Sequence, residues 1–549
     1  MNGACGASRF AAGGSGEITA DEQRRLVAAL ARHLAARHGG AAVRTIETHI
    51  SYVLLAGEAA YKLKKAIALP FVDYSTRARR RHFCDEELRL NGRLAPALYR
   101  GVVDVRGSPD DPMLDGPSPP IDHMVLMRAF DDDALLSERL ARGDVAPERI
   151  DELAARVAAF HAGLPPAASG TAFGAPERVL ADALENFDEI APLVDPPWEG
   201  RVDALRRWTQ AEFARCAASF AQRRRAGCVR ECHGDLHLRN VALVDGVVTV
   251  FDGIEFSDEL RWIDVASEVA FTAMDLCDRG RDDYAWRFLD GWFAATGDYD
   301  AAGVLRYYLV YRAMVRAKVR LLRAAQLRTG AAEREARAEA ERYLVLAERL
   351  AHDVAPAVVL MHGASGAGKS TFARVLCERL GAIRLRTDVE RKRMHGLAAA
   401  AASRSATGAG LYTADATQRT YDRLAALAAA IVGAGYTAVL DGTFLERARR
   451  ERMRELAARL AAAFAIVDVV VPPDVLRERV ARRAAAGGDP SEATLEVLER
   501  QLARAEPLAG AELACVVAID GTTAPGDPRL DAAWARVDSM RRAARGAAP

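Results

Sequence analysis

The sequence predicts two folded domains in series, an α+β domain followed by an α/β domain built on a parallel sheet. Three observations carry this. The 549-residue chain is too long for a single hydrophobic core. In its first half, the loop His233-Gly234-Asp235-x-x-x-x-Asn240 runs into two short apolar stretches, Val241 to Val244 and Val247 to Phe251, that end on Asp252. In its second half, the apolar run Ala357 to Met361 leads into Gly363-Ala364-Ser365-Gly366-Ala367-Gly368-Lys369-Ser370-Thr371 and then into helix-forming sequence. The expected organisation is a disordered start over residues 1–20, a first domain over 21–350 and a second over 356–540, with Pro356 at the boundary.

Composition narrows the class. Half the residues are apolar and 27% charged, as in globular proteins, and 75 basic residues balance 75 acidic ones. Nothing in that balance points to a nucleic-acid partner, and the basic runs Arg77 to His82 and Arg223 to Arg225 read as solvated helix faces. The eight cysteines are scattered without a C-x-x-C pair. Cys228 and Cys232 beside His233 and His237 fit no standard zinc spacing, so a reducing, cytoplasmic setting is expected. No charged-then-apolar leader opens the chain, and Met1 to Gly16 is small-residue-rich. The most apolar run, Leu424 to Leu440, is broken by Gly433 and Gly435 and reads as a helix entering a strand, so no membrane span is expected.

In chain order, Glu22 to Arg37 has the spacing of an amphipathic helix. Glu47 to Leu55 and Ala59 to Lys65 read as strands joined by Ala56-Gly57-Glu58. Alternation puts Lys62 and Lys64 on one face of the second strand and Lys65 on the other. A helix follows over Thr76 to Leu94. Strands at Val102 to Val105 and His123 to Arg128 then flank a Pro/Gly/Asp-rich loop. Asp151 to Ala162 and Pro197 to Arg225 read as helices. The Asp245-Gly246 turn closes a hairpin that returns Asp252 to the neighbourhood of Asn240, so oxygen-bearing side chains converge where a hard cation and a triphosphate fit. Tyr307 to Arg323 is a helix carrying Arg312, Arg316, Lys318 and Arg320, available to an anionic substrate or to structural pairing. Ala331 to His352 is a strong helix former.

The segments HGDLHLRN and FDGIEF resemble the aminoglycoside phosphotransferase family, a branch of the two-lobed protein-kinase-like fold. That resemblance implies ATP and Mg2+ as cofactors and a small hydroxylated molecule as acceptor. By it Asp235 is the catalytic residue, and Asn240 and Asp252 hold metal. Lys62, with Lys64 left open, contacts phosphates and pairs with Glu87, with Glu86 left open. Asp264 supports the catalytic loop, and the adenine hinge lies near Met127 and Arg128. No G-x-G-x-x-G loop precedes the lysine strand, which sets the chain apart from ordinary protein kinases.

Residues 363–371 satisfy G-x-x-x-x-G-K-[ST] in its strand-loop-helix context, the Walker A motif. Its backbone amides wrap phosphates at a helix N-terminus, with Gly363, Ser365, Gly366, Ala367, Gly368, Lys369, Ser370 and Thr371 as nucleotide-binding candidates and Ser370 as a magnesium ligand. Further strands at Ala382 to Leu385, Thr437 to Leu440, Ala465 to Val471 and Cys515 to Ile519 alternate with helix-forming sequence. This half resembles small P-loop kinases of the zeta-toxin, chloramphenicol-phosphotransferase and gluconate-kinase kind. By that resemblance Asp388 is a catalytic base, Asp441 supports magnesium or substrate, and Arg479 and Arg483 close a lid over phosphates. Asp388 reads equally as a helix N-cap.

The order of the two halves resembles bacterial fusions of an aminoglycoside phosphotransferase with an ATP-binding domain. The expected function is ATP-dependent phosphorylation of a small-molecule hydroxyl. The alternative is a regulatory protein in which one nucleotide-binding domain senses ATP and controls the other.

Overall fold

The computed structural model describes residues 17–69, 71–327, 329–352, 355–399, 401, 410–486 and 491–546. The expectation of a disordered start falls on residues 1–16 outside that range. Residues 17–20, assigned to the same segment, are placed: Thr19 and Glu22 form a capping box on the helix Ala20–Arg37.

Compactness divides the chain into two units. One comprises 1–146, 163–174 and 227–268; the other comprises 147–162, 175–226 and 269–549. This is a different division from 21–350 and 356–540. The helices of 269–351 form one compact unit with the P-loop residues.

In the first unit a six-stranded antiparallel sheet has the order Arg44–Glu47, Ser51–Ala56, Ala59–Lys64, Pro120–Arg128, Tyr99–Gly107, Pro112–Met113. The lysine strand is therefore central and buried along its whole length, whereas solvated lysines require an edge strand. Leu26, Leu30 and Leu34 of the first helix pack with Tyr52, Leu54 and Leu63 against one face. The helix Arg77–Asn91, capped by Thr76, lies along the strands Pro120–Arg128 and Tyr99–Gly107. Below the sheet, Val241–Val244 pairs with Val247–Val250, and Asp245 and Gly246 both take positive φ. Those two positive φ angles are what a tight hairpin turn demands.

The second unit begins with helices that include Pro176–Ile190 and Asp282–Thr296, neither of which the periodicity singles out. Ala302–Leu327 packs along Ala331–Ala351. Its basic face is structurally paired: Lys318 with Glu189 at 3.4 Å, Arg320 with Glu339 at 2.7 Å, and Arg316 with the Tyr343 hydroxyl at 3.4 Å. A five-stranded parallel sheet follows, in the order Ala382–Arg386, Thr437–Asp441, Ala357–His362, Ala463–Val470, Val516–Asp520. Strands buried on both faces read as continuous apolar runs, as VVLM does here. The helix Asp531–Gly546 runs past the expected boundary at 540 and places Trp534 and Val537 in the core of this sheet. Among the described residues no helix is long and apolar enough to cross a membrane.

Candidate functional site

In the first unit the side chains converge on Glu87, which is fully buried on the helix Arg77–Asn91. Lys62 Nζ donates to Glu87 Oε1 at 2.8 Å and Lys64 Nζ to Glu87 Oε2 at 2.7 Å. Alternation along the strand brings both lysines to the same carboxylate, while Lys65 turns away to Glu47 at 2.6 Å. Lys62 also donates to Asp252 Oδ1 at 2.6 Å, whereas Lys64 reaches Glu255, which the Tyr74 hydroxyl also bonds. The geometry thus gives the two open alternatives different partners: Lys62 faces the metal-candidate Asp252, and Lys64 is sealed behind it. Glu86 is half-buried and bonded instead by Arg89 at 2.7 Å.

Electrostatics follow the geometry. Burial alone would depress the Lys62 ammonium, yet Asp252, Glu87 and Glu255 outweigh it and hold it well above the ordinary lysine value. Burial would likewise raise the Glu87 carboxyl, but the two lysines overcome that and hold it below its ordinary value. Lys62 and Glu87 are therefore both charged at neutral pH.

The catalytic-candidate loop is tied from several sides. Asn240 Nδ2 donates to the Asp235 carbonyl at 2.9 Å and to Asp235 Oδ2 at 3.2 Å. His237 Nε2 lies 3.3 Å from Asp235 Oδ2. His233 Nε2 donates to the Phe251 carbonyl at 2.8 Å, and the Phe251 amide donates to the Asn240 carbonyl at 3.0 Å. The hairpin therefore does return Asp252 beside Asn240. Asp252 sits at φ +62° without being glycine, a backbone state that costs on the order of 1–3 kcal/mol and needs outside support. That support comes from the Tyr99 hydroxyl, which accepts the Asp252 amide at 3.2 Å, and from Asn91 Oδ1, which accepts the Gly253 amide at 2.7 Å.

Sequence reasoning missed Asn91, Tyr99, Tyr74, Glu255 and Glu268. Asn91 was findable, since it lies four residues after Glu87 on one helix face. Glu268 Oε1 accepts the amides of both His233 and Gly234, at 2.6 and 2.8 Å. Glu268 thus supports the loop directly, and Asp264, expected to support it, accepts the Ala266 amide at 2.9 Å.

In the second unit, Gly363, Gly366 and Gly368 all take positive φ. A Cβ on Gly363 would meet the Val469 carbonyl oxygen at 2.9 Å, so only glycine fits this cradle. The loop opens onto the helix Lys369–Leu380. Lys369 is buried and donates to the Ala364 carbonyl at 2.8 Å. Burial pulls its ammonium down to about 8, against the opposing pull of Asp441 and Asp388. Register sets Asp441 level with Met361 on one neighbour and Arg386 on the other, at the carboxyl edge where such sheets bind ligands. Arg384 Nη1 donates to the Ser370 carbonyl at 2.9 Å, and Ser365 donates its amide to Gln501 at 2.8 Å. Asp388 lies in the first turn of Thr387–Arg393; burial raises its carboxyl, with Arg391 opposing. Arg479 Nη1 reaches the Gly521 carbonyl at 3.0 Å and the Gly366 carbonyl at 3.4 Å, and Arg483 reaches the Ala493 carbonyl at 3.4 Å. Thr371 donates its amide to the Gly368 carbonyl at 3.0 Å, within the turn that starts the helix.

Both sites suit the groups expected of them. Asp235, Asn240 and Asp252 offer only oxygen ligands and one amide, the donor set of a hard divalent cation such as Mg2+. The second offers a buried ammonium within a glycine cradle, the counterpart of a polyphosphate.

Fold and sites together define the class: an α+β unit built on a six-stranded antiparallel sheet and an α/β unit with a P-loop on a parallel sheet. Residues 358–508 match the family model described as an AAA domain, AAA_33. Uncharacterized protein Rv2004c of Mycobacterium tuberculosis (strain ATCC 25618 / H37Rv) is 32% identical over 461 residues, 83% of this chain and 89% of that protein. Uncharacterized protein Mb2027c of Mycobacterium bovis (strain ATCC BAA-935 / AF2122/97) is similar to the same extent. The chain belongs to the family of these mycobacterial proteins. Among solved structures, a gluconokinase from Sinorhizobium meliloti 1021 is similar at 20% identity, covering 36% of this chain and 99% of that one, with a TM-score of 0.26. A choline/ethanolamine kinase family protein from Mesorhizobium loti is similar at 12% identity, covering 59% and 99%, with a TM-score of 0.36.

Proposed function

We propose that the protein is an ATP-dependent phosphotransferase acting on a hydroxyl of a small molecule, with the kinase-like segment 21–350 carrying one site and the P-loop segment 356–540 a second. The observation that carries the reading is Lys62, held between Glu87 and Asp252 beside the Asp235–Asn240 loop. Mg2+ and ATP, when bound, supply charge neutralisation and the transferable phosphoryl group. Lys62 positions phosphate oxygens, and Glu87 keeps that ammonium charged and aimed. Asp252 and Asn240 are the residues that would hold the metal, while the Asn240 amide nitrogen steadies Asp235. Asp235 orients the acceptor hydroxyl and takes its proton. Placement of the reactants supplies most of the acceleration.

At the second site the amides of Gly363, Ser365, Gly366, Ala367, Gly368 and Thr371 and the Lys369 ammonium hold phosphates. Ser370 and Asp441 would hold a metal, Asp388 with its raised carboxyl is the base, and Arg479 and Arg483 form the lid.

The test is transfer from γ-labelled ATP across sugars, sugar acids, nucleosides and aminoglycosides, with Asp235→Asn and Lys369→Ala beside the wild type. Asp235→Asn should lower kcat of first-site transfer by about 100-fold or more while nucleotide affinity is retained. An equal loss of nucleotide affinity in a folded variant would remove Asp235 from the role of base.

A further inference from the structure

The P-loop site has a contact that none of its own motifs contains. Arg384, on the edge strand Ala382–Arg386, is almost wholly buried, and its guanidinium is shared between two hydrogen-bonded partners. Nη2 and Nε donate to the two carboxylate oxygens of Asp290 at 2.6 and 3.2 Å. Nη1 donates to the carbonyl of Ser370, the Walker serine, at 2.9 Å. The same Nη1 stands at ion-pair distance, 3.9 Å, from Asp441 Oδ2, too far for a hydrogen bond, and Arg386 Nε lies 3.5 Å from that oxygen. Asp441 pairs in register with Arg386, so Arg384 lies on the same face of the adjoining strand, one diagonal step back. A small rotation of its side chain would close the gap to Asp441.

Asp290 belongs to the helix Asp282–Thr296, outside the P-loop segment. That helix is fastened in place. Arg287, one turn earlier, donates to Asp151 at 2.6 Å and to Glu378 of the Walker helix at 3.1 Å. The Trp286 ring lies within 3 Å of where a Cβ on Gly381 would stand. Asp290 is itself almost fully buried and presents both oxygens to the arginine, the planar two-bond geometry that a guanidinium favours over a single bond.

We propose that Asp290 is a positioning residue of the P-loop site: by holding Arg384 in a two-bond pair it keeps that guanidinium on the Ser370 carbonyl and without a hydrogen bond to Asp441, leaving the Asp441 carboxylate available to a divalent cation. The inference rests on the reading of the P-loop as a Mg2+-nucleotide site. With the Asp290 charge removed, the buried arginine keeps its positive charge, and the nearest remaining carboxylate is Asp441. A buried guanidinium left without its partner is costly, so it takes the one available. Asp441 then serves the arginine in place of the metal.

The test is a calorimetric titration of the full-length protein with ATP at a series of Mg2+ concentrations, well below the unfolding temperature of each variant. Asp290→Asn should raise the Mg2+ concentration needed for half-maximal nucleotide binding by about tenfold or more. The double variant Asp290→Asn/Arg384→Met, which removes the arginine that would capture Asp441, should return the Mg2+ requirement close to the wild-type value. A purely structural role would lower the unfolding temperature of Asp290→Asn and leave the Mg2+ dependence of the folded protein where it was, which overturns the proposal. A double variant no better than the single one overturns it too. Lys369→Ala separates the two levels of inference. If wild type shows no Mg2+-dependent nucleotide binding that this variant removes, the P-loop reading itself fails and takes the proposal with it. If wild type shows it and Asp290→Asn does not shift it, the proposal alone fails.

Discussion

Lys369 is the residue whose chemistry is most exposed to measurement. Burial pulls its ammonium from 10.5 down to about 8, with Asp441 and Asp388 only partly opposing. Between those two values the unfolded chain binds a proton that the folded chain does not, so this residue's contribution makes stability rise with pH across that window. Below it the buried charge costs the ligand-free protein about 3 kcal/mol. Lys369→Met should therefore raise the unfolding temperature of the ligand-free protein near neutral pH while removing nucleotide binding at the P-loop. The gap between variant and wild type should shrink as pH climbs from 8 towards 10.5, which thermal unfolding at stepped pH will read. A gap independent of pH would assign the effect to packing. Nucleotide binding has the opposite dependence: phosphates need the ammonium, so affinity should fall as pH rises through 8, with proton uptake visible in calorimetry across buffers of different ionisation heat.

At the scale of an element, the helix Arg77–Asn91 does two tasks from adjacent turns. Glu87 gathers both lysines, and Asn91 accepts the Gly253 amide and donates to the Glu87 carbonyl at 3.1 Å. The strained backbone of Asp252 is thereby fixed to the same helix that fixes Lys62. Asn91→Ala leaves a buried amide without its partner, a loss of about 1–3 kcal/mol that the Asp252 segment can recover by relaxing. First-site turnover should then need more Mg2+, with kcat at saturating Mg2+ close to wild type. A uniform fall in kcat at every Mg2+ concentration would argue against this division of labour. The spacing of Glu87 and Asn91 was readable, since residues four apart share a helix face, but their targets lie 25 and 162 residues away. No local pattern fixes which side chain comes to meet them.

At the scale of the molecule, the compact units do not respect the boundary that Pro356 suggests. The helix Asp282–Thr296 supplies the carboxylate that neutralises Arg384, so a fragment cut at 356 carries a buried guanidinium stripped of its partner. A 356–546 fragment should unfold at a lower temperature than the full-length chain and bind Mg2+-nucleotide more weakly, both measurable by scanning calorimetry with and without ligand. A fragment matching the full-length protein in affinity and stability would restore the sequence-derived boundary as an energetic one.

By itself the sequence determined what depends on neighbours along the chain. The Walker loop, its strand and helix, the Asp245-Gly246 hairpin and the return of Asp252 to Asn240 are all local, set by glycine conformations and strand alternation over a dozen residues. Alternation also put Lys62 and Lys64 on one face, and for that same reason could not choose between them; their distinction is a matter of what each meets, Asp252 or Glu255. The tertiary structure alone decided the supports: Glu268 under the His233-Gly234 amides, Asn91 under Gly253, and Asp290 against Arg384. Each joins residues 34 to 162 positions apart. A buried polar group must find a partner, but which one it finds depends on the packing of whole helices and sheets.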